Sequence, residues 1–501
     1  MIENAMDLFK NRLIRVLPLS VLAASCSTAD EPPADPRPNI VMIVSDDHGT
    51  DDLGCYGNLA IKTPSLDALA AEGIRFTNAY CTSASCSASR SVILTGLYNH
   101  ANGQYGHEHS FHHFKTFETV RSLPVILKEH GYNTARVGKY HVAPEEVYLF
   151  DEAIPGHSRN PFEMAVNSRY FLTENSESPF FLYFCTSDPH RGGGVVEDDP
   201  YRPDRFGNRD EGYEGIEEVI FDPDEVEVPW YLPDTPATRA ELAQYYQSVA
   251  RMDQGIGTLF EILKEEGLWD NTVIMYLSDN GIAFHGAKTN LYDPAMRLPF
   301  IVKMPEGKNR GRVTDAMVTW ADLTPTILDI AGVLKAEIET RRTIAGDTGW
   351  SALPLFDSFH GRSFLPVLEE PDTGGFDEIF ASHTFHEITM YYPMRVIENR
   401  EFKLIWNIAS GLSYPHASDL WESATWQFVI DTDIDTYGPR TVADYLQRPE
   451  FELFNMADDP YESVNLAYNP AYAGVLEEMK EKIRLFQEKT RDPWIIKWTH
   501  E

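Results

Sequence analysis

Oxygen-bearing side chains follow two apolar runs of the sequence, in a pattern that suits a hard metal ion. Asp46 and Asp47 come directly after the first run, and Asp279 and Asn280 come directly after a later one. Adjacent carboxylates at the end of a buried strand repel each other and lose hydration, which a divalent cation compensates. Three carboxylates and an amide oxygen favour Ca²⁺, with Mg²⁺ second, over zinc. The alternative for an Asp-Asp pair on its own is a turn or a helix cap.

A cysteine and an arginine four positions apart form a second group. Small polar residues surround Cys86 and precede an apolar-periodic stretch, which predicts that a helix begins near this cysteine. Helix N-termini attract anions and lower the pKa of a thiol, and Arg90 can direct its donors at the same anion. C-x-x-x-R is a weak motif by itself, because chance produces it often. The alternative is a structural thiol, bridged for instance to Cys81.

Basic and histidine side chains end two further apolar runs. Lys139 and His141 follow one run and offer a point charge and an acid–base group. His190 follows the other run, and Lys288 comes nine residues after Asp279. Each of these side chains, taken alone, is better explained as a solvated or hydrogen-bonded surface group. Weaker candidates, for contact with a sugar, are Asp188, Arg191, His386 and Glu387.

The composition restricts what these groups can bind. The 501 residues include 42 Lys and Arg against 77 Asp and Glu, so the formal net charge is −35. A field of that sign repels polyanions and excludes nucleic acid as a partner. A polyanionic ligand therefore needs cations or a metal focused in one pocket. The five cysteines are too few and too scattered for a disulfide framework.

The elements that must position these side chains alternate between strands and helices. Runs typical of strands buried on both faces lie at 39–44, 134–140, 180–186, 272–277 and 300–303. Helical periodicity lies between and after them, at 238–264 and 323–330. This alternation predicts an α/β fold with a large mixed, mainly parallel sheet between helices, and such sheets bind ligands at the carboxyl ends of their strands. Beyond 365 the pattern changes to β segments at 394–397 and 402–406 and a helix at 472–489.

Taken together, the chemical groups resemble those of the type I sulfatases, the formylglycine-dependent family. That family carries a strand ending in paired Asp, a C-x-[PA]-S-R signature, a G-K-x-H strand end, a later His and an S-D-N-G strand end. All five occur here in this order, at 46–47, 86–90, 138–141, 190 and 278–281. The resemblance is strongest to the sulfamidase branch, covers about residues 39–495, and implies an alkaline-phosphatase-like sandwich.

The resemblance also implies a mechanism. A maturation enzyme oxidises Cys86 to formylglycine, whose hydrated form attacks sulfur and makes a covalent sulfo-enzyme. The implied Ca²⁺ ligands are Asp46, Asp47, Cys86, Asp279 and Asn280. The other implied roles are stabilisation of the nucleophile by Arg90 and Lys139, its deprotonation by His141, protonation of the departing oxygen or nitrogen by His190, and pairing with a sulfate oxygen by Lys288.

Two positions depart from the family's pattern. Ala88 stands where many relatives have Pro, which leaves open which maturation enzyme acts. Lys288 stands where relatives of the sulfamidase branch often have Arg, and a lysine holds a sulfate differently because it lacks the planar fork of donors.

The ends of the chain differ from its middle. Basic residues precede a short apolar run that stops at Cys26, which is typical of an export signal. The residues around Cys26 also resemble a bacterial lipoprotein box, so the alternatives are a lipidated Cys26 and an ordinary signal peptide. The predicted organisation is a signal peptide at 1–25, a linker at 26–38, a catalytic sulfatase domain at 39–365 and an α+β subdomain at 366–501. Such a protein is exported to the periplasm or the cell surface, where a homodimer and a lipid anchor are the further options.

The predicted function is hydrolysis of sulfate groups from a sulfated oligosaccharide or polysaccharide. The resemblance favours an N-sulfated glucosamine at a non-reducing end. An O-sulfatase acting on an ulvan-type algal polysaccharide, or on a host polysaccharide, is the alternative. A phosphatase or phosphodiesterase of the same superfamily would need two zinc ions and more His ligands. A non-catalytic glycan-binding protein of the cell surface, with Cys86 never oxidised, is the rival from another class.

Overall fold

The structure is a computed structural model that describes residues 37–174, 178–192, 201–347 and 358–500, with the backbone alone at 343–347. The predicted signal peptide, the lipidation site Cys26 and nearly all of the predicted linker lie outside the described residues. Among the described residues, no helix combines the length and the apolar character needed to cross a membrane.

The strands of the first two thirds of the chain form a large sheet and a small one. Their bounds are β1 Asn39–Ser45, β2 Ile74–Phe76, β3 Ala79–Tyr80, β4 Asn133–Gly138, β5 Glu152–Ile154, β6 Phe180–Cys185, β7 Thr272–Ser278, β8 Phe300–Lys303, β9 Arg312–Thr314 and β10 Val318–Thr319. β3 pairs with β10, and the other eight strands form one sheet in the order β5-β4-β6-β1-β7-β8-β2-β9. Only β8 runs antiparallel to its neighbours, so the sheet is mixed and mainly parallel, as the sequence predicts.

Helices flank this sheet. Their bounds are α1 Pro64–Glu72, α2 Cys86–Thr95, α3 Asn99–Asn102, α4 Leu123–Glu129, α5 Pro161–Glu174, α6 Pro236–Glu265, α7 Asp293–Met296, α8 Leu323–Ile330, α9 Leu334–Asp347, α10 Leu365–Glu369, α11 Ser418–Trp421, α12 Ala424–Asp431, α13 Val442–Leu446 and α14 Ala473–Thr490. The long α6 packs against α1 and α5. Every residue of β1, β6 and β7 is buried, because these central strands are covered on both faces.

A second, antiparallel sheet follows in the last quarter of the chain. Its strands are β11 Glu378–Phe385, β12 Tyr391–Asn399, β13 Phe402–Asn407 and β16 Phe451–Asn455, in that order, with a separate hairpin of β14 Thr436–Tyr437 and β15 Arg440–Thr441. α14 packs against β12 and β13 through Met479 and Ile483, which share an apolar cluster with Ile397 and Leu404. The expected smaller α+β region is therefore present.

The carboxyl ends of four neighbouring strands form one edge of the large sheet. β4, β6, β1 and β7 are adjacent and parallel, and their registers pair Gly138 and Val44 with Cys185, and Ser45 with Ser278. The polar residues that follow each strand therefore emerge side by side. This edge is where parallel sheets place ligands.

Candidate active site

Three carboxylates and a cysteine meet where the central strands end. Asp46, Asp47, Cys86 and Asp279 each bring one ligand atom, and these atoms lie within 4.8 Å of one another. β1 and β7 stay in register to their last residues, which places the two acidic segments side by side. All four side chains are fully buried. The thiol Sγ of Cys86 lies 3.7 Å from Asp47 Oδ1.

Asn280 joins this group from the position after Asp279. Its Nδ2 donates to Asp47 Oδ1 at 2.6 Å, whereas its Oδ1 is buried without a hydrogen-bond partner. Asp46 Oδ1 is buried and unpartnered in the same way. Buried oxygens without partners are costly, and carboxylate and amide oxygens are the ligands that Ca²⁺ and Mg²⁺ prefer. The residues present therefore fit a hard divalent cation.

A basic side chain also contacts each carboxylate. The pairs are Arg90 with Asp279 at 2.8 Å, Lys139 with Asp46, and Lys288 with Asp47 at 3.0 Å. Burial raises the pKa of Asp279 to about 7, although Arg90 opposes the shift. Burial acts on Asp46 in the same direction, but Lys139 and the other nearby cations hold its pKa well below the ordinary value. These three cations balance the three carboxylates, so a bound divalent cation would supply the excess positive charge that an anionic ligand needs.

Cys86 is the first residue of α2, as the sequence predicts, but its thiol is not activated there. Burial raises the pKa of Cys86 well above its ordinary value, and the charge of Asp46 adds to the effect. Because the thiolate is the reactive form, an unmodified Cys86 is a poor nucleophile at this position. Within the described part of the chain Cys81 and Cys86 are both free thiols, which excludes a bridge between them.

Lys288 connects the acidic group to a histidine and to a carboxylate that the sequence analysis missed. Its Nζ donates to Asp47 Oδ2 at 3.0 Å and to Asp419 Oδ2 at 2.8 Å, and it lies 3.1 Å from His190 Nε2. His190 Nδ1 lies 2.6 Å from the carbonyl oxygen of Arg191, so this nitrogen donates and Nε2 faces Lys288. Asp419 belongs to the four-residue α11, and no motif surrounds it in the sequence.

His141 lies at the edge of the site with one ring nitrogen free. Its Nε2 is 2.7 Å from His109 Nδ1, and its Nδ1 is buried without a hydrogen-bond partner. Burial lowers the pKa of His141 well below the ordinary value, and the charge of Lys139 lowers it further. The imidazole is therefore neutral at pH 7 and can accept a proton.

Further histidines surround His141, and we name the group the histidine cluster. Its members are His107, His109, His112, His141 and His386. His107 Nε2 lies 3.0 Å from His386 Nε2, and His386 Nδ1 bonds to the hydroxyl of Ser85 at 2.9 Å. Among these five histidines, the sequence predicts a role in the site for His141 and His386, because the other three lie in a loop that carries no metal-ligand or catalytic motif of known spacing.

Three of the four weaker candidates for sugar contact have their charged atoms engaged within the protein. Asp188 is paired with Arg159 and Arg251, and Arg191 is paired with Glu241 at 2.6 Å. Glu387 Oε1 accepts from Ser418 N at 3.0 Å and from Ser418 Oγ at 2.5 Å, at the start of α11. Contact of these residues with a sugar stays a prediction, and each of them has a structural role.

The chain is similar to known proteins in both sequence and fold. The family model described as sulfatase matches residues 38–333. The chain is 38% identical over 487 residues to N-sulphoglucosamine sulphohydrolase of Homo sapiens, covering 92% of each chain. It is 27% identical over 450 residues to an ulvan-active sulfatase of Formosa agariphila, covering 88% of this chain and 78% of the relative. A protein solved in complex with its substrate D-glucosamine-2-N,6-O-disulfate has the same fold, with a TM-score of 0.62, 21% identity, and coverage of 91% of this chain and 99% of the other.

Proposed function

The chain belongs to the sulfatase family, and from this premise we propose that it removes N-sulfate groups from glucosamine at the non-reducing ends of glycans. As a member of this family it is a hydrolase of sulfated carbohydrate. The proposed nucleophile is formylglycine made from Cys86. The proposed ligands of a divalent cation, Ca²⁺ by preference, are Asp46, Asp47, Asp279, Asn280 and the modified residue 86.

One observation carries this proposal. Residue 86 and the carboxylates of two distant strand ends lie within 4.8 Å of one another and are fully buried. Buried carboxylates in contact repel, so a fold keeps them together only when cations compensate their charge. The unpartnered oxygens of Asp46 and Asn280 supply the free ligand positions.

Each group around residue 86 is proposed to have a separate role in catalysis. Hydrated formylglycine at residue 86 would supply a geminal hydroxyl as nucleophile, and a divalent cation held by Asp46, Asp47, Asp279 and Asn280 would supply positive charge that favours ionisation of that hydroxyl. Arg90 and Lys139 hold positive charge beside the acidic group, where negative charge grows on the transferring sulfate. His141 offers its unpartnered Nδ1 as the acceptor of a proton from residue 86.

His190 is proposed to protonate the departing nitrogen. Because Nδ1 of this histidine donates its proton to the carbonyl oxygen of Arg191, Nε2 is the atom that must first gain the proton that it passes to the departing nitrogen. Lys288 Nζ lies 3.1 Å from that atom and 3.0 Å from Asp47. When Nε2 gains a proton it can no longer accept from Lys288, and that N–H of the ammonium becomes free to bind a sulfate oxygen.

The relatives support two substrates, and one assay separates them. The 38% identical relative is a sulphohydrolase of N-sulphoglucosamine, whereas the 27% identical one is an ulvan-active sulfatase. Sulfate release from N-sulfated glucosamine oligosaccharides should exceed release from O-sulfated ulvan oligosaccharides at equal concentration. Release from ulvan alone would contradict the N-sulfate proposal and leave the sulfatase assignment intact.

Mass spectrometry of the peptide that contains residue 86 tests the nucleophile. An aldehyde, or its hydrazide adduct, is the expected species in protein expressed with a maturation enzyme that accepts the sequence Cys86-Ser87-Ala88-Ser89-Arg90. A free thiol in protein purified from its native cell would favour the non-catalytic glycan-binding alternative.

The proposal includes export to the periplasm or the cell surface, the domain boundaries given above and, for Cys26, attachment of lipid. The sequence pattern before Cys26 supports it. Cell fractionation should find the protein with the membranes, and Cys26→Ser should release it into the soluble exported fraction. Recovery of both forms in the soluble exported fraction would show that the segment before Cys26 is an ordinary signal peptide.

The homodimer stays a prediction, and the mass in solution measured by light scattering tests it.

A further inference from the structure

The histidine cluster offers a set of metal ligands that differs in chemistry from the oxygen site. One ring nitrogen from each of His107, His109 and His141 lies within 4.8 Å of the other two. The rings are close and partly stacked, with centroids 4.7 to 5.0 Å apart. Neutral imidazole nitrogens suit Zn²⁺, Cu²⁺ and Ni²⁺, whereas Ca²⁺ and Mg²⁺ take oxygen ligands.

We propose that His107, His109 and His141 bind a zinc-class transition-metal ion, and that this ion inhibits the enzyme. The inhibitory part rests on the function proposed above, whereas the binding part does not. Nothing in the family assignment or the oxygen site requires a second metal here.

The geometry is close to that of a three-histidine zinc site. Zn–N bonds of about 2.0–2.1 Å place tetrahedral ligand nitrogens roughly 3.3 Å apart. His109 Nδ1 and His141 Nε2 are 2.7 Å apart, so their rings need only a small separation to admit an ion. His109 is exposed, which gives the ion a path from solvent and leaves a position for water. Lys139 lies nearby and repels a cation, so the site is weaker than a structural zinc site.

The protonation states agree with ligation. Burial lowers the pKa of His107 and His141 well below the ordinary value, and burial also lowers that of His109. A histidine binds a metal through a neutral imidazole. These three imidazoles are already neutral at pH 7, so metal binding does not first have to displace a proton from an imidazolium.

The site also explains how the ion inhibits. When Nε2 of His141 binds a metal, the ring proton must move to Nδ1, because a neutral imidazole carries one proton. Nδ1 is the buried, unpartnered atom that the proposed mechanism uses as a proton acceptor. Metal at Nε2 therefore removes the lone pair that residue 86 needs.

Binding is tested on the full chain with the oxygen site filled by excess Ca²⁺. Titration calorimetry with ZnCl₂ should show one zinc, and X-ray absorption should show imidazole nitrogens at about 2.0–2.1 Å. His109→Gln should weaken zinc binding at least about tenfold. Removing a residue that only supports a metal ligand already costs about that much, and His109 is itself a proposed ligand. His113→Gln, in the same loop but outside the ligand set, should bind zinc like the wild type.

Equal zinc affinity of wild type and His109→Gln, or a first shell made of oxygen alone, would overturn the proposed site. Activity gives the second readout, because zinc should inhibit the wild type at saturating Ca²⁺ and should inhibit His109→Gln far less, relative to its own zinc-free rate. Zinc that binds through nitrogen without slowing the enzyme would overturn the inhibitory part. A chain that binds zinc but hydrolyses no sulfate would instead refute the proposed function.

Discussion

At the scale of the residue, several side chains behave differently from what their types and local sequence suggest. A cysteine at a helix N-terminus is normally activated, yet burial beside Asp46 raises the pKa of Cys86. Lys288 reads as a surface lysine, yet its side chain is 1% exposed and contacts Asp47, His190 and Asp419. Both differences come from contacts between residues far apart in the sequence, which no local pattern contains.

Lys288 gives the first prediction. Lys288→Met should lower kcat about 10²–10³-fold, because the loss of one donor at a developing charge typically costs that much. Lys288→Arg keeps the charge and should retain more activity than the methionine variant. Sulfate release measured by ion chromatography checks both, with circular dichroism as the control for folding. A methionine variant with the wild-type kcat would remove Lys288 from the mechanism.

Asp52 gives a prediction about stability and pH. Burial raises its pKa to about 7, Asp51 adds to the shift, and a hydrogen bond from Tyr245 opposes it. The raised pKa means that Asp52 stabilises the folded state fully below its unfolded pKa and that this contribution is lost as pH rises through about 7.

Asp52→Asn should remove the decrease in folding stability that accompanies ionisation of Asp52, because the amide does not ionise. The variant should be more stable than the wild type at pH 8 by roughly 1–3 kcal/mol, and the difference should shrink by pH 5. Urea unfolding at the two pH values measures it. The same pH slope in both proteins would show that Asp52 is ionised without cost.

At the scale of the element, the sequence predicts long apolar and amphipathic segments well. The sequence predicts β8 and α8 at the bounds that the structure has, and it predicts β1, β6, β7, α6 and α14 to within one or two residues at each end. The sequence does not predict strands of two or three residues, such as β2, β5 and β9, because so short a segment shows no periodicity. α11 was missed for the same reason, and with it Asp419.

The start of α11 gives an element-scale prediction. Glu387 accepts two hydrogen bonds from Ser418, and the next residue is Asp419, which contacts Lys288. Glu387→Ala should therefore lower kcat several-fold with little change in KM, because the helix that carries Asp419 loses an acceptor at its first turn.

Glu387→Gln is the matched control, since its amide oxygen can accept the same bonds and should restore most of kcat. Steady-state kinetics on both variants separates this role from sugar contact. A rise in KM at constant kcat, with no rescue by glutamine, would favour direct contact with the substrate.

At the scale of the whole molecule, the two sheets share one apolar core and one active site. The main core includes Ile43 of β1 and Val396 of β12, and the second region supplies Asp419 to the site built by the first. A net charge of −35 is compatible with an anionic substrate because Arg90, Lys139 and Lys288 balance the carboxylates at one strand edge, where a bound divalent cation would add positive charge.

A buried ion pair links the second sheet to the segment after α14. Arg395 of β12 pairs with Asp492, and both side chains are fully buried. Burial would raise the pKa of Asp492, but Arg395 holds it well below the ordinary value. The carboxylate therefore stabilises the fold above its unfolded pKa near 4, and that contribution is lost as pH falls below it.

Asp492→Ala should cost about 3–5 kcal/mol of unfolding free energy at pH 7, because it leaves a buried guanidinium unpaired. Glu481→Gln, which breaks the exposed pair with Arg484, should cause no measurable change. Urea unfolding of both variants measures the contrast, and equal stabilities would show that the buried pair contributes nothing.

The proposed chemistry requires a cation held beside a modified residue 86. A crystal structure of the mature protein grown with Ca²⁺, with anomalous data to identify the ion, tests it most directly. We predict one Ca²⁺ at about 2.3–2.6 Å from oxygens of Asp46, Asp47, Asp279 and Asn280, with formylglycine at position 86 completing its shell. An intact thiol at position 86 with no ion among these four side chains would contradict both the proposed nucleophile and the proposed metal site.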